Sequence, residues 1–144
     1  MKVNLDNILG LEAPSEYYCS VWGYVIGHSQ MLVEVHPVSQ YDNRFYLLFG
    51  DVQYFEGPMK WHNANLCLGT NEKRDAICVR LYGSKYDDIR IAIEKMHHLY
   101  IFEGTGLSIQ IIASSSFLSK SNASPLHCEF SDLQWERLNP LAIE

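Results

Sequence analysis

The sequence predicts a mainly β, single-domain protein: an antiparallel sandwich or barrel-like fold of about eight to ten short strands, with at most one substantial helix, at 84–98. Three observations lead there. Eleven Ile, eight Val and eighteen aromatics stand against seven Ala, a mixture that favours strands. Apolar residues alternate with polar ones over several short runs, the period of a strand with one buried face. Turn signals separate these runs, and too few helical stretches exist to serve as the crossovers of a parallel sheet.

Residues 17–38 read as a hairpin. With His28-Ser29 as a two-residue loop, Ile26 faces Met31, Tyr24 faces Val33 and Trp22 faces Val35 on one apolar side, opposite Glu34 and His36. His-Ser is not a favoured turn pair, so a longer loop using Gly27 stands as the alternative. Val25 and Leu32 make the second side apolar too, which implies a cover: another sheet, a helix or a partner chain. In 44–56, Gly50-Asp51 reads either as a hairpin turn, with Phe49 facing Val52 and Leu47 facing Tyr54, or as a bulge in one long strand. Glu56-Gly57-Pro58 stops that strand and opens a loop to Asn63.

Residues 65–69 form a short apolar strand, and 76–82 alternate as another, with Ile77, Val79 and Leu81 on one face. Residues 84–98 carry two readings. Ser84 as N-cap, acids in the first turn and the stripe Ile89, Ile93, Met96 suit a helix. Ile89, Ile91 and Ile93 alternating with polar or small residues favour a strand. A further hairpin turns at Gly104-Thr105, pairing Phe102 with Leu107, Tyr100 with Ile109 and His98 with Ile111. The serine-rich 114–124 reads as a loop whose Phe117-Leu118 dips into the core, and 126–135 as a last strand with Leu126, Cys128 and Phe130 alternating.

The 144 residues carry a formal net charge of −6, unevenly spread. Residues 1–72 hold three bases against eight acids; 73–144 hold eight against nine. With no basic stripe in either half, neither nucleic acid nor an anionic membrane is an expected partner. No apolar run approaches the roughly 18 residues of a membrane span. Residues 1–6 lack the layout of a signal peptide, and Cys19, Cys67, Cys78 and Cys128 are scattered, so a cytoplasmic location is expected.

Chemical motifs are sparse. Zinc sites need converging ligands, and the close pairs His97-His98 and His127-Cys128 would point to opposite sides of a strand. Glu34 and His36 share a face but are only two groups, so no metal and no cofactor is expected. No nucleophile elbow or phosphate loop exists, and no catalytic residue is assigned. The informative feature is aromatic density: eleven of the eighteen aromatics lie between Tyr17 and Trp61, beside Glu34, Asp42, Asp51 and Glu56. Trp22, Tyr24, Phe45 and Phe49 suit a core, whereas Tyr17, Tyr18, Tyr54, Trp61 and His62 suit strand ends or the 56–63 loop, where rings serve interfaces and flat ligands.

The candidate binding residues are therefore Tyr54, Glu56, Trp61, His62, Glu34 and His36. The leading expectation is a non-catalytic protein-binding module, inhibitor- or immunity-like, steered electrostatically to a basic protein partner. The alternatives are a β-domain that binds a small apolar or sugar ligand, and an enzyme using Glu34, His36 or the Asp51/Glu56 pair as acid–base groups. Pairing of an edge strand into a homo-oligomer stays open.

Overall fold

The computed structural model describes residues 7–25, 29–120 and 134–138. In chain order they form β1 (Tyr17–Val25), β2 (Gln30–Pro37), β3 (Phe45–Gly50), β4 (Tyr54–Glu56), β5 (Lys60–His62) and β6 (Asn65–Leu68). There follow α1 (Asn71–Tyr82), α2 (Tyr86–Met96), β7 (His98–Glu103), β8 (Gln110–Ala113), β9 (Ser115–Ser119) and β10 (Glu136–Leu138). The strands make two antiparallel sheets, a larger one ordered β10-β9-β3-β2-β1-β5 and a smaller one ordered β4-β8-β7-β6. Their facing sides share one core, with Met31, Val33, Val35, Leu47 and Phe49 from the larger sheet against Leu66, Tyr100, Phe102 and Ile111 from the smaller. The two helices cover the far side of the smaller sheet, where Ile77, Cys78, Tyr86 and Ile93 pack on Leu99 and Ile112. This is the mainly β, sandwich-like fold that the alternation predicts, with a helical layer added.

The first hairpin forms in a different register. Tyr17 to Val21 pair with Pro37 to Val33, and after an irregularity Gly23 to Val25 pair with Leu32 to Gln30. Cys19 and Val21 therefore take the inner places expected of Trp22 and Tyr24, while Trp22 packs over Leu32, Tyr46 and Leu48 on the outer face. The cause is the extra residue in β1 together with a connection longer than His28-Ser29. Ile26 lies outside the described residues.

Gly50-Asp51 is neither hairpin nor bulge. β3 belongs to the larger sheet and β4 to the smaller, so 51–53 carry the chain across the sandwich. Asp51 turns the corner at φ 50°, a left-handed conformation that Asp tolerates better than most residues. Val52 N–H then donates to the Ser29 carbonyl and Gln53 N–H to that of Ile112, each at 2.8 Å. The expected loop before Asn63 contains β5, which pairs with β1 through Cys19 and Trp61.

Residues 76–82 are helix, not strand. Thr70 caps α1, its hydroxyl accepting from the Lys73 N–H at 3.1 Å. Arg74, Ile77 and Cys78 face the sheet, while Val79 and Leu81 stay exposed, so the alternation of Ile77, Val79 and Leu81 does not report burial. A 3-10 turn at Gly83–Lys85 leads into α2, where the helical reading of 84–98 prevails over the strand favoured by its isoleucines. Tyr86 and Ile93 are buried, and Ile91 is 63% exposed.

The two helices are tied by polar groups as well. The buried Arg74 guanidinium donates to the His97 carbonyl (3.0 Å) and pairs with Asp75 (3.1 Å), which accepts from the Tyr86 hydroxyl (2.9 Å). Burial and the adjacent Asp75 push the Tyr86 phenol up to about 12. His97 Nε2 meets Asp51 Oδ2 at 3.0 Å, anchoring the end of α2 to the corner between the sheets.

β7 and β8 pair Tyr100 with Ile111, two residues from the expected partner. A shift of two keeps every side chain on its predicted side. The connection widens to 104–109, with Gly104 and Gly106 at positive φ. The serine-rich segment supplies β9, which sends Leu118 to the inner core and Phe117 to the outer face. Leu126, Cys128 and Phe130 lie outside the described residues. Among those described, no helix is long and apolar enough to cross a membrane.

Candidate functional site

Residues paired across strands project to the same side, so the register arranges the outer face of the larger sheet in rows. One row is His62, Tyr18, His36, across β5, β1 and β2. The next is Lys60, Ser20, Glu34, Tyr46, continuing onto β3. Ser20 is the short member of that row. Its small side chain between Lys60 and Glu34 leaves a hollow of about 420 Å³, walled further by Trp22, His36 and Tyr41.

Glu34 is only 3% exposed, yet it is a carboxylate. A buried charge needs compensating donors. The β2–β3 connection supplies one: its 3-10 turn at Tyr41–Asn43 brings the Tyr41 hydroxyl to Glu34 Oε2 at 3.2 Å. The buried Tyr46 hydroxyl, neighbour to Glu34 in the row, donates to the same oxygen at 3.4 Å and accepts from Arg44 Nε at 3.0 Å. Arg44 also lies over the Tyr41 ring, 5.1 Å from its centre. Loss of water, then the Glu34 charge, pushes the Tyr41 phenol up; burial does the same for Tyr46. Both therefore remain O–H donors. Among the described residues, no donor reaches Glu34 Oε1 and no cation forms an ion pair with the carboxylate.

Rings line the approach. Tyr18 sits between His36, nearly parallel to it at 6.1 Å, and His62 at 5.6 Å. Tyr41 meets His36 edge-on at 4.9 Å. The His36 Nδ1 is 2.9 Å from its neighbour's carbonyl, Pro37 O, which steadies the imidazole. Tyr18 and Tyr41 are half-exposed, so part of each ring stands at the surface beside the hollow.

Of the six residues that the sequence singles out, three meet here: Glu34, His36 and His62. Trp61 does not. It is 2% exposed, packs edge-on against Phe102 at 4.9 Å and puts its indole N–H beside the Cys19 thiol, because β5 turns it into the core between its two outward neighbours. Tyr54 and Glu56 lie on the other sheet, where the phenol donates to the carboxylate at 2.5 Å. Hydrogen bonds from Ser108 and Tyr54 hold Glu56 below the usual carboxylate range. Ser20, Tyr41 and Lys60 escape sequence reading. The row that joins Ser20 and Lys60 exists only once β5 is recognised as a strand, and Tyr41 returns to Glu34 through a turn with no periodic signature.

A second hollow of about 370 Å³ opens between the sheets beside Met31, Val52, Phe55 and Met59, with no charged group in its lining. Among the described residues, no three His, Cys, Asp or Glu side chains converge as metal ligands. The Cys19 and Cys78 thiols are both pushed up by burial and are poor nucleophiles as they stand. No protein-family model, curated protein or solved structure matches the chain.

Proposed function

We propose that this protein is a non-catalytic binding module for a small polar ligand, held on the outer face of the larger sheet. The observation that carries this reading is Glu34: a buried carboxylate, addressed on one oxygen by two long phenol bonds, at the wall of a hollow framed by rings. A ligand donor at Oε1 adds a bond to the oxygen that no described residue's donor reaches, and charge-assisted bonds of this kind are the strong ones. The raised phenols of Tyr41 and Tyr46 keep their protons, which suits them to hold the carboxylate in place rather than to act as bases.

The acidity of the N-terminal half motivates a basic protein partner, but the hollow contains one acid and one base, Glu34 and Lys60, rather than an acidic patch. A volume of about 420 Å³ falls at the lower end for small-ligand pockets, roughly 300–1,000 Å³. Amide chemical-shift mapping with sugars, polyols and free amino acids as probes tests the reading. The expected outcome is that a probe shifts Ser20, Glu34, His36 and Lys60, and that Glu34→Ala abolishes the response. Shifts confined to Met31, Val52, Phe55 and Met59, or none from any probe, would discard it.

A further inference from the structure

The charges that border the hollow go further than its polarity. Resting on the binding reading above, we infer that its ligand is a zwitterion, such as a free amino acid, with its ammonium at Glu34 and its carboxylate at Lys60. Both residues occupy one row, with Ser20 between them. Adjacent strands lie about 4.8 Å apart, so the Glu34 and Lys60 backbones stand roughly 10 Å apart with the hollow between their side chains. That spacing leaves room for a small molecule that presents opposite charges at its two sides.

The alternatives leave a charge uncompensated. A simple cation satisfies Glu34 but meets Lys60, which forms no ion pair among the described residues. A simple anion satisfies Lys60 but meets the buried carboxylate. A neutral polyol displaces water from the buried Glu34 without neutralising it, and an unmet buried charge is costly. A zwitterion answers both. Glu34 Oε1, which no described residue's donor reaches, is the acceptor for an N–H, and the Tyr41 side chain borders the same space. Ser20 supplies a hydroxyl on the floor between the two charges. The Arg44 charge acts on Glu34 from beyond ion-pair distance, with the Tyr46 phenol hydrogen-bonded to both, so the side of the carboxylate that faces the hollow has room for a cationic group in direct contact.

The test titrates the protein with the common L-amino acids, each singly, by calorimetry and amide shift mapping. The N-acetyl derivative (anion only), the carboxamide (cation only) and D-glucose (neutral) serve as comparators. The expected result is that at least one free amino acid binds at Ser20, Glu34 and Lys60, and that either derivative binds roughly tenfold to a hundredfold more weakly. Glu34→Gln and Lys60→Gln should each weaken the free amino acid by a similar factor. The second is at an exposed position and keeps the test valid should the first fail to fold. Derivatives that retain full affinity overturn the inference. D-glucose shifting these amides while every amino acid is silent overturns the charge assignment and leaves the site standing. Silence from all probes overturns both.

Discussion

Glu34 is buried and His98 half-buried on their strands, and they differ in what surrounds them. Alternation along β2 put Glu34 and His36 on one face, which is legible in the sequence because a strand assigns faces by parity alone. Its burial is not legible, since it depends on Tyr41 and Tyr46 arriving from elsewhere. Trp61 is the converse case: an aromatic after Gly57-Pro58 looks like a loop residue until Cys19 is known to pair with it. His98 offers a test at this scale. Burial, with the charges of Arg74, His97 and Arg137 adding, holds its imidazole below the ordinary value of 6.5. The unfolded chain then binds the proton more readily, so His98 lowers stability as pH falls through that ordinary value, until the folded state is protonated too. Denaturant titrations at about pH 7.5 and about pH 5.5 should show a smaller stability difference for His98→Gln than for the parent. An equal or larger difference would rule out this role.

Among the elements, α1 was the hardest to read. Its inward stripe runs through Arg74 and then Ile77 and Cys78, so one core-facing place is held by an arginine. That residue breaks the apolar period of 3.6, while Ile77, Val79 and Leu81 happen to mimic a period of two. The guanidinium can be buried because three groups accept its hydrogen bonds: the His97 carbonyl, the Asn71 amide oxygen and the Asp75 carboxylate. α2 was better signalled, since Ile89 and Ile93 fall on one stripe with Tyr86. The start of α1 depends on one hydroxyl. Thr70→Ala should cost about 0.5–2 kcal/mol in chemical denaturation, and Thr70→Ser should recover most of it. No loss in the alanine variant would mean that packing alone fixes this helix.

For the whole molecule, the fold class was legible and the pairing was not. β-branched and aromatic runs announce strands, and turn signals announce that they are short. Neither tells that β3 leaves one sheet for β4 in the other, or that β9 returns to lie beside β3. Such pairings are settled by the core that both sheets fill together, and Trp61 is part of that core. Trp61→Ala should destabilise the protein by about 3–5 kcal/mol in equilibrium unfolding. It should also loosen Lys60 and His62, its neighbours on β5, so weaker ligand binding is expected even though Trp61 lines neither of the two hollows described above. Unchanged stability would contradict its place in the core.

The irregularity between Val21 and Gly23 has a consequence of another kind. Side-chain alternation along a strand acts as a two-phase reading frame, and β1 changes phase once. Before the change, Cys19 and Val21 pair with Val35 and Val33 towards the core; after it, Tyr24 pairs with Met31. Losing one residue there would bring the two halves of the strand into the same phase. Either Tyr18 and Ser20 would turn inward, or the pairing beyond Gly23 would slip. The floor of the hollow is thus guarded by a number of residues as much as by their kinds: β1 can accept many substitutions but cannot change length.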